Sequence, residues 1–267
     1  MRFVLLLLAL ALSSCDSVTE DETITGEYIL RRHDETQYDI ASPKPKARPT
    51  YPWQEGSSSS HQITKEYFRC KGSSLHPPII IKEGDREKMR MNDCGGSDRH
   101  SLPLHNGSEF VYPILLELVN RIQEVTKKPV VITSGHRCPD HNAYVDASPA
   151  NSGSKHLIGA EVDFYIKGFE SRPEVAVKII EDFYKSAARY QKQPEYQVFH
   201  RFERSTNVAT QPWFNKEVFI KLFRSSEGRN FDNRHPYPYI SIQVRFDRAS
   251  NLPVTCNWAD AQKFLRR

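Results

Sequence analysis

The chain has 267 residues, with 37 basic and 33 acidic side chains for a formal charge of +4, and 38% of its residues are hydrophobic. That length suits one or two domains and leaves ample material for a core, and the composition is ordinary for a soluble globular protein. So small a positive excess carries no electrostatic footprint for nucleic acid, and no nucleic-acid partner is expected.

Residues 1–15, MRFVLLLLALALSSC, open with Arg2, continue as an apolar run from Phe3 to Leu12, and end in small residues before Cys15. Ten apolar residues are too few to span a bilayer, so the segment reads as an export signal. Leu12-Ser13-Ser14-Cys15 resembles the lipobox of bacterial lipoproteins, which implies cleavage and acylation at Cys15. The expected location is the bacterial cell envelope, on the periplasmic side, with the lipid membrane as a partner through Cys15. Residues 16–61, which include SPKPKARPTYPWQEGSSSS, combine Pro, Lys and Ser and read as a disordered tether. Residues 62–267 then form the single folded domain. Outside the cytoplasm, the four cysteines beyond Cys15 permit two disulfides in three possible pairings. Locality favours Cys70 with Cys94, leaving Cys138 with Cys256; four reduced thiols are the alternative.

Within the domain, PPIIIKEGD predicts a strand entered through Pro77 and Pro78, followed by a polar stretch holding His100 and His105. In EFVYPILLELVNRIQEVTKK, apolar residues at 110, 111, 114, 115, 118, 119, 122 and 125 predict a helix with one buried face, Pro113 in its first turn. The stretch Val130–Ile166 then holds two strand-like runs, VVITS and EVDFYI, around a polar loop. SRPEVAVKIIEDFYKSAARYQ predicts another helix, announced by Ser171 and Glu174 at capping-box spacing. YQVFHRF, KEVFIKLF and YISIQVRF predict strands. The pattern is an α+β fold, a mostly antiparallel sheet with helices packed on it.

The central loop carries the chemistry. SKHLIGAEVD resembles the S-x-H-x-x-G-x-A-x-D signature of the zinc D-alanyl-D-alanine carboxypeptidases and peptidoglycan endopeptidases of the hedgehog-like fold. Ser154, His156, Gly159 and Asp163 stand on its fixed positions, with Glu161 in the place of alanine. SGHRCPDHN is similar to the family's SGYRS…N element. The resemblance implies Zn2+ bound by His156 and Asp163, substrate contacts from Arg137, Asn142 and Ser154, and peptidoglycan stem peptides as substrate. Independently, zinc accepts imidazole and carboxylate. A turn at Gly159 can fold the imidazole back towards the strand, where Glu161 and Asp163 share a face.

In the family a third ligand comes from a late strand. The matching YISIQVRF has Ser241 at the histidine position and Gln243 at that of the acid; a hydroxyl is a poor zinc ligand and a neutral amide is no base. A remodelled site would use His235 as third ligand and Glu161 as base; His136, His141 and His200 are further candidates. Two functions stay open: a zinc metallopeptidase acting on stem peptides, or an inactive homologue that binds peptidoglycan or a protein.

Overall fold

The structure is a computed structural model that describes residues 62–95, 102–148, 153–257, Ala259 and Ala261. The export signal, Cys15, the tether and His100 lie outside the described residues. A hairpin of β1 (Ile79–Glu83) and β2 (Arg86–Met91) is followed by a short ladder, β3 (Leu104–His105) with β4 (Ser108–Glu109). Helix α1 (Pro113–Thr126), β5 (Val130–Ser134), α2 (Pro139–Val145), β6 (Glu161–Ile166) and α3 (Glu174–Ser186) come next. The short α4 (Pro194–Gln197) precedes β7 (His200–Arg201), β8 (Trp213–Phe214), β9 (Val218–Phe223), β10 (Tyr239–Val244), β11 (Phe246–Asp247) and β12 (Leu252–Pro253). Strands β5 to β10 form one six-stranded sheet in the order β5-β6-β10-β9-β8-β7, antiparallel at every pair. The α+β class read from the sequence is the class of the fold.

Period-two alternation gives this sheet two unlike faces. Val162, Phe164 and Ile166 of β6, Val218, Ile220 and Leu222 of β9, and Ile240, Ile242 and Val244 of β10 enter the main core. Helix α1 covers that face, packing on β5 and β10 and against α3. Its Leu115, Leu118, Val119 and Ile122 are fully buried, each such side chain contributing roughly 1.5–3 kcal/mol by leaving water. The intervening residues Glu161, Asp163, Lys221, Phe223, Ser241 and Gln243 point to the other face and line a cleft.

Several local expectations are displaced. Val125 is 47% exposed, and Gln123 takes the buried position because its side-chain oxygen accepts the Val130 N–H at 3.0 Å. Helix α3 starts after Pro173 without any side-chain cap, so Ser171 does not form the expected capping box. YQVFHRF yields only the two strand residues of β7, because Pro194 starts a helical turn that runs through Gln197. The charged REKMRM, unremarkable in the sequence, is the second arm of the β1–β2 hairpin.

Below the sheet, Tyr184 and Tyr190 both donate to Glu217 Oε2, at 3.0 and 2.5 Å. Burial raises the Glu217 carboxyl, outweighing those two hydrogen bonds and the charges of Arg248 and Arg189. A carboxyl whose folded pKa is raised favours the native state at low pH and loses that contribution as pH rises from its unfolded value through its folded one. Glu217→Gln should therefore leave the melting temperature unchanged at acid pH and raise it relative to wild type as pH approaches neutrality. Thermal melts of both proteins across that range check the sign.

Candidate metal centre

The local chain path explains how the polar loop reaches β6. Gly135 ends β5 where the backbone passes Phe68 so closely that a Cβ would stand 2.5 Å from the Phe68 Cα. A bulge at Thr133 offsets the pairing of β5 with β6, a common device for aiming side chains beside a site. After the polar loop, a 3-10 turn at Lys155–Ile158 ends on Gly159 in the left-handed region, φ 69°, which a residue without Cβ adopts at no steric cost. That turn faces the His156 ring onto β6.

His156 Nδ1 donates to the Gly135 carbonyl at 2.5 Å. With Nδ1 so engaged, Nε2 is the ring atom that faces the carboxylates. His156 Nε2 lies 3.4 Å from Asp163 Oδ2 and 3.6 Å from Glu161 Oε1. One ligand atom from each of the three, all buried, falls within 4.8 Å of the others. Nitrogen and oxygen ligands about 2.0–2.1 Å from a tetrahedral zinc stand ~3.3 Å apart, close to the two shorter separations. The other oxygen of that carboxylate, Asp163 Oδ1, is buried without a hydrogen-bond partner. The residues present therefore fit zinc.

Ser241 pairs with Asp163 across the sheet, and Gln243 with Glu161. Both side chains donate to Glu161 Oε1, Ser241 Oγ at 2.9 Å and Gln243 Nε2 at 2.8 Å. The positions expected to supply a ligand and an acid from β10 instead hold Glu161 in place. Glu161, expected as a base, stands among the metal-binding atoms.

His235, expected as third ligand, lies outside this group. Its ring packs on Tyr165 at 5.0 Å and near Tyr237 and Tyr239, and both its nitrogens are buried without a hydrogen bond. Burial and the Arg229 charge lower its pKa, and its ring sits in an aromatic cluster. His136 is buried and its Nδ1 meets the His156 carbonyl at 2.9 Å, and His200 is exposed on edge strand β7.

Arg137 is 4% exposed; its Nε donates to Ser134 Oγ at 2.8 Å and to Asp232 Oδ2 at 3.2 Å. Its Nη2 stands 3.5 Å from Asp163 Oδ2 and has no hydrogen-bond partner. Arg137 and Ser154 both line the cleft, whose volume is about 720 Å3, whereas Asn142 is buried in α2 away from the lining. Lys155, Lys221 and Arg229 add positive charge to the cleft wall. Burial pushes the Asp163 carboxyl up, but the charge and hydrogen bond of His156, with Arg137 and Asn233, hold it below the usual carboxylate range.

Residues 95–182 match the family model of peptidase M15. That segment is M15-like and peptidase-like, and M15 peptidases are typically zinc-dependent. It covers roughly a third of the chain and includes Arg137, His156, Glu161 and Asp163, but stops before β10, so Ser241 and Gln243 lie beyond it. No curated protein and no solved structure matches the chain.

Two residues that sequence reasoning missed complete the surroundings. Asn233, fully buried, donates to Asp163 Oδ2 at 3.1 Å and accepts Thr133 Oγ1 at 2.6 Å. Asp232 binds both Arg137 and His141. Both sit in the turn-forming stretch RSSEGRNFDN, where no spacing marks them out. The expected disulfides are a further correction: Cys70, Cys94, Cys138 and Cys256 form none. Cys70 and Cys94 come near each other, but Cys138 joins them and Cys256 lies instead beside the Asn257 carbonyl.

If Ser241 and Gln243 orient Glu161 for a metal, removing both donors should weaken binding about 10–100-fold, as for other groups that orient ligands. Calorimetric Zn2+ titration of a Ser241→Ala, Gln243→Leu double variant against wild type measures it.

Proposed function

We propose that this protein is a zinc metallopeptidase of the bacterial cell envelope, tethered by acylated Cys15, that hydrolyses peptidoglycan stem peptides with a hedgehog-like domain. The observation that carries the reading is the arrangement of His156 Nε2, Asp163 Oδ2 and Glu161 Oε1 at spacings suited to one tetrahedral ion, beside an open cleft. Three protein ligands and an open position are the usual form of a catalytic zinc site. The chemistry that zinc supplies when bound in such a site is Lewis acidity, which polarises a carbonyl and acidifies water.

The chain's own residues do the rest. The Gly135 carbonyl holds the His156 ring, Ser241 and Gln243 hold Glu161, and Asn233 holds Asp163. Arg137, buried and with Nη2 3.5 Å from Asp163 Oδ2 but without a hydrogen-bond partner, would receive a carboxylate of the substrate. Lys155, Lys221 and Arg229 favour an anionic peptide in the same cleft.

One observation favours a second reading, a stem-peptide-binding module without catalysis. With Glu161 engaged at the metal and Gln243 neutral, the remaining carboxylate among the described cleft-lining residues is Asp146, which is exposed. A separate buried general base is thus missing from that lining.

Purified full-length protein should contain Zn2+ and release the terminal residue of stem pentapeptides, and His156→Ala should abolish cleavage and lower the zinc content by one equivalent. Binding of the peptide at wild-type affinity, with zinc bound and no cleavage over long incubation, would instead establish the binding module. Arg137→Lys, which loses the planar fork, should weaken stem-peptide binding by roughly 1–2 kcal/mol, about 5- to 30-fold; binding isotherms of the two proteins check it.

A further inference from the structure

A second cluster of metal-ligating side chains lies on the other side of Arg137. Cys70 Sγ and Cys94 Sγ are 3.9 Å apart. A ring nitrogen of His141 lies within 4.8 Å of the Cys70 and Cys94 sulfurs, and the Cys138 thiol, which accepts the His141 amide at 3.4 Å, stands beside these two cysteines as the nearest candidate for a fourth ligand. Cys94, Cys138 and His141 are buried. Thiolates about 2.3 Å from a tetrahedral zinc stand ~3.8 Å apart, which the Cys70 to Cys94 separation reproduces; bonded disulfide sulfurs are only about 2.05 Å apart. Three thiols on one centre also exceed what a single disulfide can use.

The surroundings are those of a metal-binding histidine. His141 Nε2 meets Asp232 Oδ1 at 3.0 Å, the carboxylate partner that commonly orients such a ring. Its Nδ1 faces the sulfurs. Gly72 makes the approach possible: a Cβ there would overlap the Cys94 sulfur and stand 3.1 Å from His141 Nδ1. Nδ1 is 2.7 Å from Asp93 Oδ1. Asp93 keeps other donors if that contact is released: the Ser73 and Cys94 amides at 3.0 and 2.7 Å, and His76 Nδ1 at 2.5 Å.

We propose that Cys70, Cys94, Cys138 and His141 form a closed, structural Zn2+ site, distinct from the His156 centre. Binding replaces the three S–H protons and the Nδ1 proton of His141 with four bonds to one metal ion, the protons passing to solvent. The ligands come from three places: Cys70 after the turn at Lys65–Phe68, Cys94 after β2, and Cys138 with His141 at the start of α2. The site thereby clamps both ends of the β1–β2 hairpin to the segment that carries Arg137. Among the described residues that hairpin pairs with no other strand, and it leaves Ile80, Ile81 and Met89 at least 40% exposed; a two-stranded hairpin alone is marginally stable in water.

The test is Co2+ titration of the reduced, metal-free full chain. A near-ultraviolet thiolate-to-cobalt charge-transfer band should saturate at a single equivalent, disappear when Zn2+ is added, persist in His156→Ala, and be lost in Cys94→Ser and in Gly72→Ala. Zn2+ should also protect the 79–91 hairpin of His156→Ala from proteolysis. Absence of the band in folded wild type, its survival in Cys94→Ser, or its loss in His156→Ala would overturn the proposal. So would recovery of two of the three thiols as a disulfide in protein purified without reductant that takes up no Co2+. Because the proposed ligands of the His156 centre include no thiol, failure here is distinguishable from failure of the peptidase reading.

Discussion

Everything at the candidate site depends on the antiparallel register between β6 and β10. With Ser241 opposite Asp163 and Gln243 opposite Glu161, four polar side chains share one face of two adjoining strands, while Val162, Phe164, Ile240 and Ile242 fill the core on the other. A slip of one residue would exchange the faces, burying carboxylates under α1 and exposing the apolar set. The apolar face thus enforces the polar one. Glu161, Asp163 and Ser241 stay buried because each has partners supplied by that register or by the loops above it.

The same register explains how the chain accommodates a serine and a glutamine where the resemblance places a histidine and an acid. A carboxylate at Glu161 lies diagonally across from Ser241 and reaches the same space from the neighbouring strand. The hydroxyl and amide, useless as ligand and base, become donors that hold it. In the proposed site the ligand set is thus shifted by one strand, at the cost of the group that would have served as a proton acceptor.

Around this centre polar contacts tie the loops together. Arg137 joins Ser134, Asp163 and Asp232; Asp232 joins His141; Asn233 joins Asp163 and Thr133. Burial raises the Asp232 carboxyl, but the His141 hydrogen bond and the Arg137 charge hold it well below the ordinary range. The 224–238 stretch is thereby fastened over the cleft through ionised groups, and the thiol cluster stands at the far end of the same network.

The amino-acid sequence by itself determined the elements whose signal is local and periodic. The stripe of α1, the alternation of β6, β9 and β10, and the positions of His156 and Asp163 seven residues apart about Gly159 could all be read from it, because side-chain period and turn chemistry are properties of neighbouring residues. Only the tertiary structure decided what converges from afar. It made Glu161 a neighbour of Ser241 and Gln243, took His235 into an aromatic cluster, brought Asp232 and Asn233 to the centre, and gathered Cys138 with Cys70 and Cys94 rather than with Cys256. Those contacts join residues up to a hundred positions apart across loops of irregular path, where no spacing rule records which side chains will meet.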